Sequence, residues 1–117
     1  MNHPRPLREP EKVLLMVLLA SKPSIASLIG TLNDLRVTEM NDGGMGSLLL
    51  IPKGASQTSR SFGEQLVLGE ITDSDGVPVS VALNADRDGN LYELDVWKVD
   101  FSPLLTWPDP ASIRIVG

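Results

Sequence analysis

The second half of the chain contains a row of alternating apolar residues that constrains the fold more than any other feature. Its apolar members are Val77, Val79, Val81 and Leu83, and the residues between them are Pro78, Ser80 and Ala82. Successive side chains of a β-strand point to opposite faces, so this alternation predicts a strand with one buried and one exposed face. Turn-forming Asp and Gly residues flank it, within residues 73–76 and 85–90.

The second of these turns leads into another predicted strand, residues 91–99. Leu94 and Val96 lie on one face of this strand, and Glu93, Asp95 and Trp97 lie on the other. The two strands are therefore predicted to form a hairpin whose outer face carries two carboxylates and an indole ring. Because the predicted helices cover only one face of the sheet, we expect Trp97 to be at least partly exposed.

Further strands are predicted at residues 35–40, 47–51, 65–72 and 113–116, and residues 52–63 form the longest predicted loop. Two helices are predicted before them, at residues 9–21 and 24–32, where apolar residues recur at helical spacing. This order predicts an α+β fold, with two N-terminal helices packed on an antiparallel sheet of four to six strands. We expect a single domain over residues 1–117, with an extended arm at 1–8, the helical pair at 9–33 and the sheet at 35–117.

The first predicted helix contains an apolar run at residues 13–20, which is too short to cross a bilayer because a spanning helix needs about 20 residues. Basic residues precede the run, as in a secretory signal peptide. However, Glu9 and Glu11 lie among them, and no small-residue cleavage site follows. We therefore expect a buried helix of a cytoplasmic protein, without membrane association.

The net charge of the chain is −5, and the negative charge is concentrated in residues 70–100. Eight acids in this segment stand against only Arg87 and Lys98. Such a segment repels the phosphates of nucleic acids and attracts basic proteins. We therefore expect no nucleic-acid partner, and the partner that the charge favours is a basic protein.

Residues for the commonest kinds of catalysis are missing from the sequence. There is no Cys, and the single His, His3, lies in the predicted N-terminal arm. These absences remove the usual pairs of nucleophile and base, and also the Cys and His ligands of zinc sites. We therefore lean against an enzymatic role, and we expect no catalytic residue and no cofactor.

Residues 84–95 resemble an EF-hand calcium loop, with Asn84, Asp86 and Asp88 in the first three ligand positions and Asp95 in the twelfth. In the predicted hairpin, however, Asp95 lies about 13 Å along the strand from Leu91, too far to close such a site. We interpret the segment as a tight acidic turn and expect no bound metal.

The candidate binding residues are the outer-face residues of the hairpin and the acids of the neighbouring turns, namely Glu93, Asp95, Trp97, Asp73, Asp75, Asp86 and Asp88. An exposed Trp beside charged residues is typical of a protein-binding surface, so the leading hypothesis is a non-catalytic protein-binding domain. Two alternatives stay open. Glu93 and Asp95, roughly 6.5–7 Å apart on one face, would also suit a small enzyme or ligand-binding protein. An exposed sheet face would also suit a self-associating structural domain, hence a homo-oligomer.

Three segments together resemble a family of small bacterial proteins of unknown function: DGGMGS at residues 42–47, DGVPVSVALN at 75–84 and LYELDVWKVDFSPL at 91–104. The resemblance covers residues 5–108, and the last segment is its most specific part. It implies a bacterial origin and assigns no activity and no functional residues. In size and charge, small acidic α+β proteins of this sort also resemble toxin-neutralising immunity proteins. The protein-binding hypothesis therefore includes an immunity-type inhibitor of a basic bacterial partner.

Overall fold

The described residues, 3–54 and 60–117 of a computed structural model, form one antiparallel sheet of seven strands together with two helices. The strands are β1 (Arg5–Pro6), β2 (Arg36–Glu39), β3 (Leu48–Ile51), β4 (Phe62–Thr72), β5 (Pro78–Asp86), β6 (Leu91–Lys98) and β7 (Arg114–Ile115). Their order across the sheet is β1-β2-β3-β6-β5-β4-β7. The predicted α+β class is confirmed, but the prediction of four to six strands is wrong.

The short outermost strand β1 accounts for the higher count, because β7 lies within the strand predicted at residues 113–116. β1 lies in the predicted extended arm, of which Met1 and Asn2 are outside the described residues, and Arg5 pairs with Val37 of β2. The guanidinium of Arg5 donates two hydrogen bonds to the carboxylate of Glu11, at 2.9 and 2.8 Å, which holds the arm against the first helix. β7 pairs with β4 at the opposite edge. Two-residue edge strands present few unpaired backbone groups to another chain.

β5 and β6 form the predicted hairpin in the middle of the sheet. Val81 pairs with Val96, and Leu83 pairs with Leu94. All four side chains are buried, which confirms the alternating apolar row. The register then shifts between Asn84 and Ala85, so β6 bulges where the hairpin approaches its turn.

The first helix, α1 (Glu9–Ala20), packs its apolar stripe against the face of the sheet that carries the buried row of β5. Its fully buried residues are Leu14, Leu15, Leu18 and Leu19. The N-terminus of α1 is fixed by Glu11, whose carboxylate accepts the backbone N–H of Arg8 at 2.8 Å. Burying a leucine side chain contributes about 1.5–3 kcal/mol, so this stripe is the main attachment of the helix to the sheet.

The second helix is a 3₁₀ helix over Ala26–Asp34, where the helical spacing of residues 24–32 had predicted an ordinary helix. With three residues per turn, side chains three positions apart lie in one line. Ile29, Leu32 and Leu35 have this spacing, and all three pack into the core. Leu28, one residue before Ile29, also packs against the core, so the segment buries more than one row of apolar side chains.

After β6 the chain returns over the helix side of the sheet to reach β7, in a segment that we call the C-terminal strap (residues 101–113). Leu104, Trp107 and Ile113 pack against the core from this strap. The indole N–H of Trp107 donates to the carbonyl of Pro10 in α1 at 3.2 Å. A side chain at Gly69 of β4 would collide with Ile113, since an added Cβ would lie 2.7 Å from its Cδ1. The strap therefore closes one side of the core.

Within residues 3–54 and 60–117, neither helix has both the length and the apolar character that crossing a membrane requires.

Candidate functional site

The face of the sheet opposite α1, which we call the open face, carries the three outer-face residues predicted on β6. Glu93 pairs with Asn84, Asp95 with Ala82, and Trp97 with Ser80, so all six residues lie on this face. Trp97 is 48% exposed, and Glu93 and Asp95 are partly buried. The exposure predicted for Trp97 and its shared face with the two acids are therefore observed.

An aromatic pair that the sequence did not predict lies at the end of β6. The ring of Phe101 packs edge-on against Trp97, with centroids 4.9 Å apart and planes at 75°. Phe101 is 65% exposed and has a φ of 64°. This left-handed conformation is an outlier for a bulky residue, and such strain costs about 1–3 kcal/mol. The chain thus accepts strain to place an aromatic ring in solvent beside Trp97.

The turn that presents Phe101 is held by hydrogen bonds on both sides of it. The N–H of Phe101 donates to the carbonyl of Lys98 at 2.9 Å. The carboxylate of Asp100 accepts the N–H of Ser102 at 3.0 Å and its hydroxyl at 2.6 Å. These hydrogen bonds lower the pKa of Asp100. The left-handed residue is therefore fixed in a defined turn that the alternation of β6 could not reveal.

Beside the aromatic pair, Asn84 lies between two carboxylates in what we call the amide–carboxylate cluster (Asn84, Glu93 and Asp95). The Nδ2 of Asn84 donates to Oδ2 of Asp95 at 2.9 Å. Burial raises the pKa of Glu93, the negative charge of Asp95 raises it further, and the Asn84 amide opposes both. Burial likewise raises the pKa of Asp95. When Glu93 and Asp95 are ionised, neighbouring hydrogen-bond donors therefore compensate their negative charges poorly.

The acids predicted at the turn before β5 do not form an open acidic rim. Asp73 is buried, and its carboxylate accepts the ammonium of Lys98 at 2.8 Å and the N–H groups of Leu105 and Thr106 at 2.9 and 3.1 Å. The prediction that Asp73 belongs to an exposed binding surface is therefore wrong. Asp75 binds the same ammonium at 2.7 Å, although its side chain stays 34% exposed.

This ion pair is buried because Lys98 follows Trp97 on a strand and must point to the helix side. The pKa of Asp73 would be raised by burial, but the hydrogen bonds from Leu105, Lys98 and Ser74 outweigh burial and lower it. Burial alone would lower the pKa of Lys98, and the two aspartates reverse this and raise it. Both groups are therefore charged, and they fasten the C-terminal strap to the β4–β5 turn.

Of the two acids predicted at the turn between β5 and β6, one is buried and the other is exposed. Asp86 is buried, and its carboxylate accepts the Nε of Arg60 at 2.9 Å and the N–H groups of Asp88 and Asn90 at 2.9 and 3.0 Å. The prediction that Asp86 faces solvent is therefore wrong, whereas Asp88 is exposed. Burial opposes the ionisation of Asp86, but the hydrogen bond from Arg60 helps to hold its pKa below the ordinary value.

Arg60 belongs to the predicted loop 52–63, of which residues 55–59 lie outside the described residues. Its guanidinium also donates to the carbonyls of Leu50 and Leu91, and it lies 5.0 Å from the ring centroid of Tyr92. Arg60 thus ties the end of β3 to the β5–β6 hairpin. With Arg60 on its carboxylate, Asp86 is committed to a structural role.

The described residues form several surface clefts but no group of side chains suited to a metal ion. Four surface clefts of about 200, 270, 330 and 490 Å³ do not include Glu93, Asp95 or Trp97 among their lining residues. Within residues 3–54 and 60–117, no group of three or more His, Cys, Asp or Glu side chains is arranged to hold a metal ion. Glu93, Asp95 and Trp97 therefore line none of these four clefts, although the cleft of about 490 Å³ includes Glu70, which pairs with Ser80 of the open face.

The fold and this site define a small α+β domain with an acidic and aromatic open face. The chain belongs to the family described as a domain of unknown function (DUF6984), which matches residues 4–108. No curated protein and no solved structure matches it.

Proposed function

We propose that this chain is a non-catalytic bacterial protein-binding domain that captures a basic partner on its open face, as an immunity-type inhibitor acting in the cytoplasm would. The observation that carries the proposal is the solvent-exposed contact between Trp97 and Phe101. Large aromatic side chains supply much of the energy of protein interfaces when a partner covers them. In the free domain, both rings leave apolar area in water.

The backbone at Phe101 supports the same interpretation. A bulky residue in the left-handed region costs stability, and burial of its side chain does not explain the cost because the ring is 65% exposed. Strain of this kind is concentrated at binding and catalytic sites. A partner that covers Phe101 would turn this costly exposure into favourable contact.

The charge around the aromatic pair selects the kind of partner. On the open face, Asp95 lies two residues and Glu93 four residues before Trp97 in β6, and Asp75 and Asp100 lie near the strand end that carries Phe101. Negative charge around an apolar centre accelerates encounter with a positively charged surface and discourages acidic partners. The net charge of −5 acts in the same direction at longer range.

One observation favours a second candidate, a small enzyme or ligand-binding protein that uses Glu93 and Asp95. Both carboxylates have raised pKa values, as general acids often do. The proposed binding domain nevertheless accounts for more of the surface, because it includes Phe101 and Trp97 as well as the acids.

The proposal can be tested by replacing Phe101 with the photocrosslinking residue p-benzoylphenylalanine in the full chain, in cells of the source organism. The matched control is the same replacement at Phe62, which is 52% exposed on β4 and lies about 20 Å away along the strands. We expect one basic protein to be crosslinked from position 101 and not from position 62. With that protein purified, Trp97→Ala should weaken its binding.

Three outcomes would overturn the proposal. Equal crosslinking from both positions would mean that the open face is not selective. Crosslinking of the chain to itself would favour the self-associating structural domain. If the crosslinked protein is acidic, the negative charge of the open face does not select the partner.

A further inference from the structure

The amide–carboxylate cluster contains a polar atom that the described part of the chain leaves unsatisfied. Asn84 is 4% exposed, and its Oδ1 is a buried side-chain acceptor with no hydrogen-bond partner among residues 3–54 and 60–117. A buried acceptor without a donor costs about 1–3 kcal/mol. The Nδ2 of the same amide is already used by Asp95. The cluster therefore has more hydrogen-bond acceptors than hydrogen-bond donors.

The chemistry of the three side chains defines what would complete the cluster. Ionised Glu93 and Asp95 only accept hydrogen bonds, and so does Oδ1 of Asn84. Among the described residues, the group that opposes the effect of burial on the pKa values of both carboxylates is the Asn84 amide. The missing component is consequently a cation with several N–H donors.

The neighbouring aromatic ring narrows the choice of cation. Trp97 follows Asp95 by two residues on the same face of β6, so its ring stands roughly 6.5–7 Å further along the strand. A guanidinium offers five donors in one plane and stacks on aromatic rings, whereas an ammonium is a compact, strongly hydrated charge. Carboxylates beside an indole therefore suit arginine better than lysine.

We infer that the amide–carboxylate cluster is a surface site that recognises an arginine side chain of the partner, whose guanidinium binds Glu93 and Asp95 and extends toward Trp97. This inference rests on the proposed protein-binding function, and it names the chemical group that the site recognises. In this site Asn84 acts through its Nδ2, which holds the carboxylate of Asp95 at 2.9 Å, because its Oδ1 is buried out of reach of a partner side chain.

The test uses the full chain and short capped peptides, acetyl-Gly-Arg-Gly-amide and the same peptide with citrulline or lysine in place of arginine. Citrulline keeps the shape of arginine but is uncharged. The readout is the ¹³C shift of the Glu93 and Asp95 carboxyl groups together with the side-chain amide signals of Asn84. We expect saturable shifts with the arginine peptide, weaker shifts with lysine and none with citrulline.

Two variants of equal charge separate recognition from general electrostatics. Asp95→Asn keeps an acceptor for Nδ2 of Asn84, and Asp34→Asn removes an exposed charge at the end of the 3₁₀ helix. Asp95→Asn should weaken arginine-peptide binding about fivefold, the upper range for a partly exposed ion pair. Asp34→Asn should leave it unchanged. Backbone amide spectra verify that each variant is folded.

Equal shifts with arginine and lysine peptides, any saturable shift with citrulline, or equal losses in the two variants would overturn the inference. Its failure can be distinguished from failure of the proposed function. If a partner crosslinked at position 101 binds Asp95→Asn normally, the function stands and the arginine site fails. If the arginine peptide binds the cluster but no protein is crosslinked at position 101, the cluster does recognise a guanidinium but the partner-binding function fails.

Discussion

Trp97 and Lys98 are consecutive in β6, yet the indole is 48% exposed on the open face while the lysine side chain is completely buried on the helix side. The apolar ring thus faces water and the charged group faces the core. The lysine is accommodated because Asp73 and Asp75 bind its ammonium at 2.8 and 2.7 Å. Trp97 is in contact with the ring of Phe101, which is itself exposed, and the proposed function explains this exposed pair by contact with a partner.

Removing the buried lysine should destabilise the protein more than removing the whole ion pair. Lys98→Met leaves Asp73 as a buried carboxylate without its counterion, which should lower the melting temperature strongly. In the double variant Lys98→Met, Asp73→Asn, the uncompensated charge is gone, and part of the loss should be recovered. Thermal unfolding followed by circular dichroism measures both. A double variant less stable than Lys98→Met would contradict the pairing.

Neutralising Glu93 should stabilise the folded protein at neutral pH. Its raised folded pKa favours the protonated form, so the associated stability is full below the ordinary value of 4.5 and is lost as the pH rises through the raised pKa. Glu93→Gln imitates the protonated form. At pH 7 we expect it to raise the free energy of unfolding by less than about 1 kcal/mol, because partial exposure screens the charge.

The gain from Glu93→Gln should shrink as the pH falls below about 4.5, where the wild-type carboxyl is itself protonated. The control is Glu64→Gln, an exposed position of β4. Urea unfolding at pH 7 and at pH 3.5 measures the difference. A variant less stable than the wild type at pH 7 would mean that Glu93 is compensated in the folded protein.

A charge in the alternating row of β5 should unfold the domain. Val81 is completely buried between α1 and the sheet, and Val81→Asp would place an unpaired carboxylate there. The cost of several kcal/mol is comparable to the total stability of a small domain, about 5–15 kcal/mol. The neighbouring change Ser80→Asp points to the open face and should remain folded. A cooperative melt for Val81→Asp would contradict the assigned faces.

The aromatic residues of the open face and the exposed acid of the neighbouring β5–β6 turn should affect different rate constants for partner binding. Trp97→Ala should mainly accelerate dissociation, because a central aromatic contributes contact that forms late. Asp88→Lys should mainly slow association and flatten its dependence on salt, because exposed charges act through steering. Asp88 is chosen over Asp86 because Asp86→Lys would place a cation against Arg60. Surface plasmon resonance at two salt concentrations measures both.

If the two variants bind like the wild type, the open face is not the interface. If Trp97→Ala instead lowers the melting temperature greatly, the indole contributes to folding rather than to binding.

Local sequence patterns were sufficient for the hairpin and for its two faces. Period-two alternation places Val81 and Leu94 inside and Glu93, Asp95 and Trp97 outside, and the structure agrees. The apolar spacing also predicted the second helix, but it did not show that this helix is a 3₁₀ helix, because rows spaced by three and by four residues are hard to separate over nine residues. The edge strand β1 was missed because a pair of residues carries no periodicity.

What the sequence determined by itself is the class of the fold, the central hairpin and the side of it on which each β6 residue lies, because strand geometry is a property of neighbouring residues. Only the tertiary structure decided which of the predicted acids are exposed to solvent and which are buried in ion pairs. Asp73 forms an ion pair with Lys98, and Asp86 forms one with Arg60; these partners lie 25 and 26 residues away in the chain. It also placed Phe101 against Trp97 through one left-handed residue, and it brought Asn84 between two carboxylates through a register that includes a bulge. Pairings over such distances depend on how the strands and the strap pack together, and no local pattern encodes them.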